Sequence, residues 1–193
     1  MADLITVVGH KFGAPKGVAA LYVRRGVPLP PLLLGGGQEA GRRAGTENVL
    51  LLVGLGRAAA VADAELETLA AHMRAMRERL RRRLLSGLGE KYAGRCRFFG
   101  PREEALRLPN TLSVSVPGVQ AARLLAAVGG VVAASAGAAC HSGAAAGVGD
   151  GAAGAGTAMG VPVEFALGTF RLSVGRHTTA REVDRGAAVL ATA

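Results

Sequence analysis

Four groups of residues have types and spacings that could do chemistry. Lys11 follows the apolar run Leu4-Ile5-Thr6-Val7-Val8, and Gly13, Pro15 and Gly17 shape the chain after it. A lysine at the mouth of a buried strand sheds part of its hydration, which favours the neutral amine, and a neutral amine condenses with a carbonyl cofactor to a Schiff base. The alternative is a lysine whose stem covers the strand end while its ammonium reaches solvent. Cys140, in Gly137-Ala138-Ala139-Cys140-His141-Ser142, follows an apolar run and lies on a small-residue loop where His141 can favour its thiolate; the same cysteine can equally be an inert small apolar residue. Arg171, in Phe170-Arg171-Leu172-Ser173-Val174, offers a guanidinium that forks onto a carboxylate, or is a surface charge on an edge strand. Gly35 to Asn48 reads GGGQEAGRRAGTEN: successive glycines admit close approach of a ligand or another chain, and a hydroxyl with backbone amides at a helix start favours phosphate. A flexible loop before a capped helix would read the same way.

The elements that position these groups follow from periodicity and punctuation. Leu4 to Val8 predicts a buried strand, Gly17 to Val23 a second one, and Pro28, Pro30 and Pro31 a stiff connection. Thr46 is the expected N-cap of a helical stretch from Val49 to about Leu85, read as two helices meeting near Ala62 to Glu67. Leu66, Leu69, Met73, Met76, Leu80 and Leu84 fall at helical spacing and should face a core, with Arg77 and Arg81 outside. Gly87 and Gly89 stop that helix. Short strands are expected at Arg95–Phe99, Pro109–Val116, Val131–Ala134 and Phe170–Val174, and helices over Gln120–Val128 and from Thr178 or Thr179 to about Leu190. In the second of those strands Leu112, Val114 and Val116 alternate with Ser113 and Ser115, as a half-buried strand does. The Ala/Gly tract 143–158 has neither period and reads as a loop. The whole is α/β with an α+β second half.

Composition narrows the classes. The 193 residues are 50% hydrophobic but only 4% aromatic, so a core must be built from Ala, Val and Leu. The net charge of +9 suits anions. The basic run Arg74 to Arg83 could attract nucleic acid, but it lacks aromatic interleaving and reads as the solvated face of an amphipathic helix, so no nucleic-acid partner is expected. Cys96 and Cys140 make no disulfide framework and fit a reducing compartment. No apolar stretch suits a bilayer and the N-terminus lacks the order of a signal peptide, so the expectation is a cytosolic protein without a membrane partner.

Three strings carry a family resemblance. VVGHKFGAPKG, GGGQEAGRRAGTEN and RLSVGRHTT are similar to segments of the selenocysteine lyase and cysteine desulfurase family, pyridoxal phosphate enzymes of the class V aminotransferase fold. The resemblance runs from about Leu4 to Leu190. It implies the C-terminal part of a fold type I pyridoxal phosphate-dependent transferase, the last strands of the large cofactor domain in residues 1–62 and a complete small α+β domain in 63–193. It gives Lys11 the covalent link to pyridoxal 5'-phosphate and the proton transfers at the substrate carbon, and it gives His10 and Thr46 the cofactor phosphate, Thr46 across a homodimer interface. It gives Arg171 the carboxylate of an amino-acid substrate, and Cys140 a proton for, or stabilisation of, the departing selenium. Cysteine desulfurases more often carry Thr or Ser after the cysteine, so His141 favours the lyase. The activity implied is conversion of L-selenocysteine to L-alanine with release of reduced selenium. In the family the lysine segment lies near mid-chain, so the first half of the fold, with the cofactor's acidic, stacking and amide partners, is expected to be absent. Ala40 replaces a common arginine, Phe12-Gly13-Ala14-Pro15 replaces an aromatic-Gly-Pro order, and the tract 143–158 replaces a substrate loop. A truncated or weakly active form is therefore expected, the alternatives being a desulfurase-like protein or a noncatalytic domain keeping the fold and dimer surface.

Overall fold

The computed structural model describes residues 2–136 and 160–193; Cys140, His141 and the tract 143–158 lie outside them. The chain forms two compact units, Met1–Leu66 and Glu67–Ala193.

In the first unit, β1 (Leu4–Val8) pairs antiparallel with β2 (Ala19–Val23), Leu4 opposite Val23 and Val8 opposite Ala19. The expectation of a buried strand is not met. Leu4 and Ile5 keep 45% and 47% of their surface exposed, as does Leu21 at 49%. A two-stranded ribbon in which apolar residues point to both faces needs a layer on each face, and among the described residues of this unit only Gly9 and Ala14 are buried.

The helix α1 runs Val49–Ala93 and passes from the first unit into the second. It does not divide near Ala62 to Glu67, because Ala62-Asp63-Ala64-Glu65-Leu66-Glu67 contains no Gly or Pro and is mostly strong helix formers. Its break is at Gly89, which takes φ 70° and ψ 171°. The N-cap is Asn48 rather than Thr46: Leu51 N–H donates to Asn48 Oδ1 at 3.2 Å. Leu66 is largely exposed, since it precedes the stretch that meets a sheet.

The second unit is a three-stranded antiparallel sheet in the order β3 (Arg97–Phe99), β4 (Thr111–Ser115), β5 (Thr169–Ser173). Leu112 pairs with Leu172 and Val114 with Phe170, so one face of the sheet is apolar. Leu80 and Leu84 of α1, Ala121 and Val128 of α2 (Ala121–Val128), and Val183, Ala187 and Leu190 of α4 (Ala180–Thr192) join that face in one buried cluster. Each Leu, Val or Phe so buried contributes about 1.5–3 kcal/mol. A short helix α3 (Val163–Leu167) precedes β5. Val131–Ala134 is not a strand. Val131 and Val132 N–H both donate to Val128 O at 2.9 Å, so the chain leaves α2 in tight turns and, among the described residues, pairs with β5 only at Ser135.

Arg77 does not take the outer face. Its side chain is 1% exposed and donates to Leu108 O at 2.8 Å, to Glu78 Oε1 at 3.0 Å and to Glu104 Oε1. Burial opposes its charge, but the hydrogen bonds to Glu104 and Glu78 and their negative charges outweigh that and raise its pKa. Its hydrogen bond, working against some desolvation, holds the Glu104 carboxyl below the ordinary range. Arg79 forks onto Asp184 at 2.7 and 2.6 Å, and Arg83 adds a third bond at 3.0 Å, tying α1 to α4. The start of α4 is fixed by Thr179 and Glu182, each bonding the other's backbone N–H.

Candidate active site

Lys11 ends a single 3-10 turn, Gly9–Lys11, that follows β1 directly. Gly9 is the turn's anchor. Its N–H donates to Val18 O, and its carbonyl accepts from both Phe12 and Ala14 N–H, all at 3.1 Å. Lys11 and His10 are exposed on this turn, and neither side chain makes a hydrogen bond or ion pair with a described residue. The loss of hydration expected at a buried strand end is therefore not found; what the turn provides is a fixed backbone beneath a reachable amine.

The loop after Lys11 rests on the first turns of α1. A Cβ at Gly54 would lie 2.9 Å from Pro15 Cδ, so the approach requires glycine there. One at Gly17 would lie 3.2 Å from Leu51 Cδ1. Thr46 is exposed and stands two residues before the Asn48 cap. The lysine turn and the segment that carries Thr46 are thus held to a common helix end within the first unit.

Arg171 belongs to the second unit and is half-buried. Its neighbours Phe170 and Leu172 point into the core, so its own side chain projects from the opposite face of β5. Its backbone exchanges both hydrogen bonds with Ser135, at 2.7 and 3.3 Å, and it pairs with Ser113 across β4. That face is polar: Thr111, Ser113 and Ser115 of β4 stand opposite Ser173, Arg171 and Thr169 of β5. Ser115 and Thr169 hydroxyls both donate to Phe165 O, at 2.5 and 2.7 Å. An apolar cleft of about 120 Å³ lies elsewhere in this unit, lined by Leu172, Val174, Val183 and Leu190 among others, and Arg171 does not line it. Cys140 lies outside the described residues. The other cysteine, Cys96, is half-buried and donates its thiol to Tyr92 O at 3.2 Å; burial pushes that thiol up, away from the reactive thiolate.

Two residues escaped sequence reasoning. Ser113, beside Arg171, had a signal in the Leu112/Ser113/Val114/Ser115 alternation, which marks it as belonging to the face away from the core. Gln38, whose carboxamide accepts from Gly45 N–H at 3.2 Å, had none, because that bond depends on how a glycine loop folds back.

The family model described as aminotransferase class-V matches residues 1–185. The chain is 44% identical over 186 residues to a selenocysteine lyase of Bos taurus, covering 94% of this chain and 40% of that protein. It is 40% identical over 184 residues to a cysteine desulfurase of Trichormus azollae, covering 95% and 43%. Among solved structures, a NifS-like protein matches with a TM-score of 0.77 at 35% identity over 98% of this chain and 45% of that one. A NifS-like protein from Rickettsia africae ESF-5 matches with a TM-score of 0.77 at 28% identity, over 98% and 46%. The chain thus spans less than half the length of the relatives it matches. Among the described residues, no helix is long and apolar enough to cross a membrane.

Proposed function

Because this chain belongs to the aminotransferase class V family, we propose that it acts as a selenocysteine lyase-like protein, converting L-selenocysteine to L-alanine with release of reduced selenium, the two electrons coming from an external thiol reductant. The observation that carries this reading is the 44% identity to a selenocysteine lyase over 94% of the chain. The His141 that follows Cys140 favours selenium over the sulfur substrate of the desulfurase relatives.

The family's enzymes work with pyridoxal phosphate. The residues present fit that group at two of its ends. An exposed amine with no partner among the described residues, on a turn held by three backbone bonds, suits its carbonyl. An exposed hydroxyl before a capped helix start, preceded by Arg42 and Arg43, suits its phosphate. When bound, the cofactor supplies the conjugated acceptor that draws electrons from the substrate α-carbon.

The remaining roles belong to the chain. Lys11 Nζ holds the cofactor and moves the proton at the substrate α-carbon. His10 and Thr46 bind the phosphate, Thr46 in a homodimer serving the partner's cofactor. Arg171 forks onto the substrate carboxylate and orients it, with the Ser113 hydroxyl beside it on the same polar face. Cys140 supplies a proton to the departing selenium or stabilises it.

Selenide release under reducing conditions tests the assignment. Cys140→Ala should lower turnover, having removed help at the leaving atom. Arg171→Ala should raise KM about tenfold or more, having removed a bidentate clamp. Equal release by both variants and the unsubstituted chain would contradict the lyase reading.

A further inference from the structure

The segment Leu33–Gly45 is closed twice. Ala44 N–H donates to Leu33 O at 3.3 Å, and one residue later Gly45 N–H donates to Gln38 Oε1 at 3.2 Å. Between these closures the chain reverses through three consecutive left-handed residues, Glu39 (φ 53°), Ala40 (φ 55°) and Gly41 (φ 77°). Glu39 and Ala40 each cost about 1–2 kcal/mol in that region, and such residues persist only where their surroundings determine them. The Gln38 carboxamide lies against Gly36. A Cβ there would come within 3.1 Å of both Cδ and Nε2, so the glycine clears the space that the carboxamide fills. The reversal brings the Gln38 acceptor to the N–H of Gly45, which itself has φ 110° and is the residue immediately before Thr46.

We propose that Gln38 is a positioning residue: its side-chain carbonyl fixes the Gly45 peptide and so aims Thr46 at the cofactor phosphate. The proposal rests on the assignment of Thr46 to that phosphate. Gly45 is a free pivot without this bond, since a glycine at positive φ has no side chain to limit its swing. An amide is also the fitting acceptor. A carboxylate at position 38 would bind the same N–H but place a negative charge near a bound phosphate, and like charges repel.

The test uses the full chain and two readouts, exchange of the Gly45 amide hydrogen and the ratio of affinities for pyridoxal 5'-phosphate and pyridoxal. The ratio isolates the phosphate. Gln38→Met keeps the bulk and removes the acceptor; it should speed Gly45 exchange and cut the ratio, each on the order of tenfold, with pyridoxal affinity unchanged. Gln38→Glu should keep Gly45 protected yet still lose phosphate preference. Thr46→Val should lose the preference and leave Gly45 exchange alone. If Thr46→Val loses the preference while Gln38→Met keeps it, or if Gln38→Met leaves Gly45 exchange unchanged, the positioning role is overturned and the Thr46 assignment survives. If Thr46→Val keeps the preference, or the unsubstituted chain shows none, the Thr46 assignment falls and the positioning role with it.

Discussion

The two units of this chain are held by different means. In Glu67–Ala193 every described strand lies in one sheet, three helices bury their apolar stripes in the same cluster as its apolar face, and Leu112, Val114 and Phe170 are at most 1% exposed. In Met1–Leu66 the strands present Leu4, Ile5 and Leu21 to solvent, and shape comes from local hydrogen bonds at Gly9, at Gln38 and at the Asn48 cap. One unit encodes a core. The other encodes a set of turns, and it is the one that carries Lys11, His10 and Thr46. Stability and the cofactor chemistry proposed here therefore respond to different substitutions.

The largest expected effect breaks that contrast open. Phe170→Ala should cost about 3–5 kcal/mol of unfolding free energy by urea titration, because a cavity forms where the sheet meets its helices. Ile5→Ala, with half of its surface already in water, should cost under about 1 kcal/mol. Comparable losses at the two sites would mean the first unit has a core of its own.

Arg77→Ala comes next, at about 2 kcal/mol. The removal strands the Leu108 carbonyl and leaves Glu104 without its main partner, but both carboxylates are partly exposed and can rehydrate, so the loss stays below that of a fully buried pair. Arg77→Lys should recover only part of it, since an ammonium lacks the fork. Full recovery by lysine would show that charge alone holds this cluster.

The smallest effect is at the head of α4. Thr179→Ala should cost about 1 kcal/mol at neutral pH by removing the cap. The backbone N–H and then the hydroxyl of Thr179 hold the Glu182 carboxyl below its ordinary value. That lowered value means the unfolded state binds the proton first as pH falls. The contribution is complete above the unfolded carboxyl pKa, about 4.3, and is lost as pH falls through the folded value. Glu182→Gln should accordingly flatten the acid limb of the stability profile measured by circular dichroism, whereas an unchanged limb would show that Asp184 and Glu104 carry it.

Much of the second unit is legible in its sequence, because Leu112, Val114, Phe170 and Leu172 alternate and Thr178 or Thr179 marks the start of the last helix, which the capping box with Glu182 fixes at Thr179. Arg77 is not legible. Its partners include Glu104 and Leu108, far along the chain, and a basic run on a helix reads as solvated until those are in place. The exposure of β1 is hidden for a related reason: an apolar run states what a strand would bury, not whether anything covers it. Of the candidate site, the loop after Lys11 is readable from Gly13, Pro15 and Gly17, while the 3-10 turn Gly9–Lys11, the displacement of the cap from Thr46 to Asn48 and the bond from Gly45 to Gln38 depend on backbone angles that no spacing rule supplies.

Lys11 is proposed as the residue that holds the cofactor. Incubation of the purified chain with pyridoxal phosphate, borohydride reduction and peptide mapping tests it directly. The label should reside on the peptide containing Lys11 and be lost in Lys11→Ala. A label of equal extent on Lys16, Lys91 and Lys11, or one that survives Lys11→Ala, would contradict it.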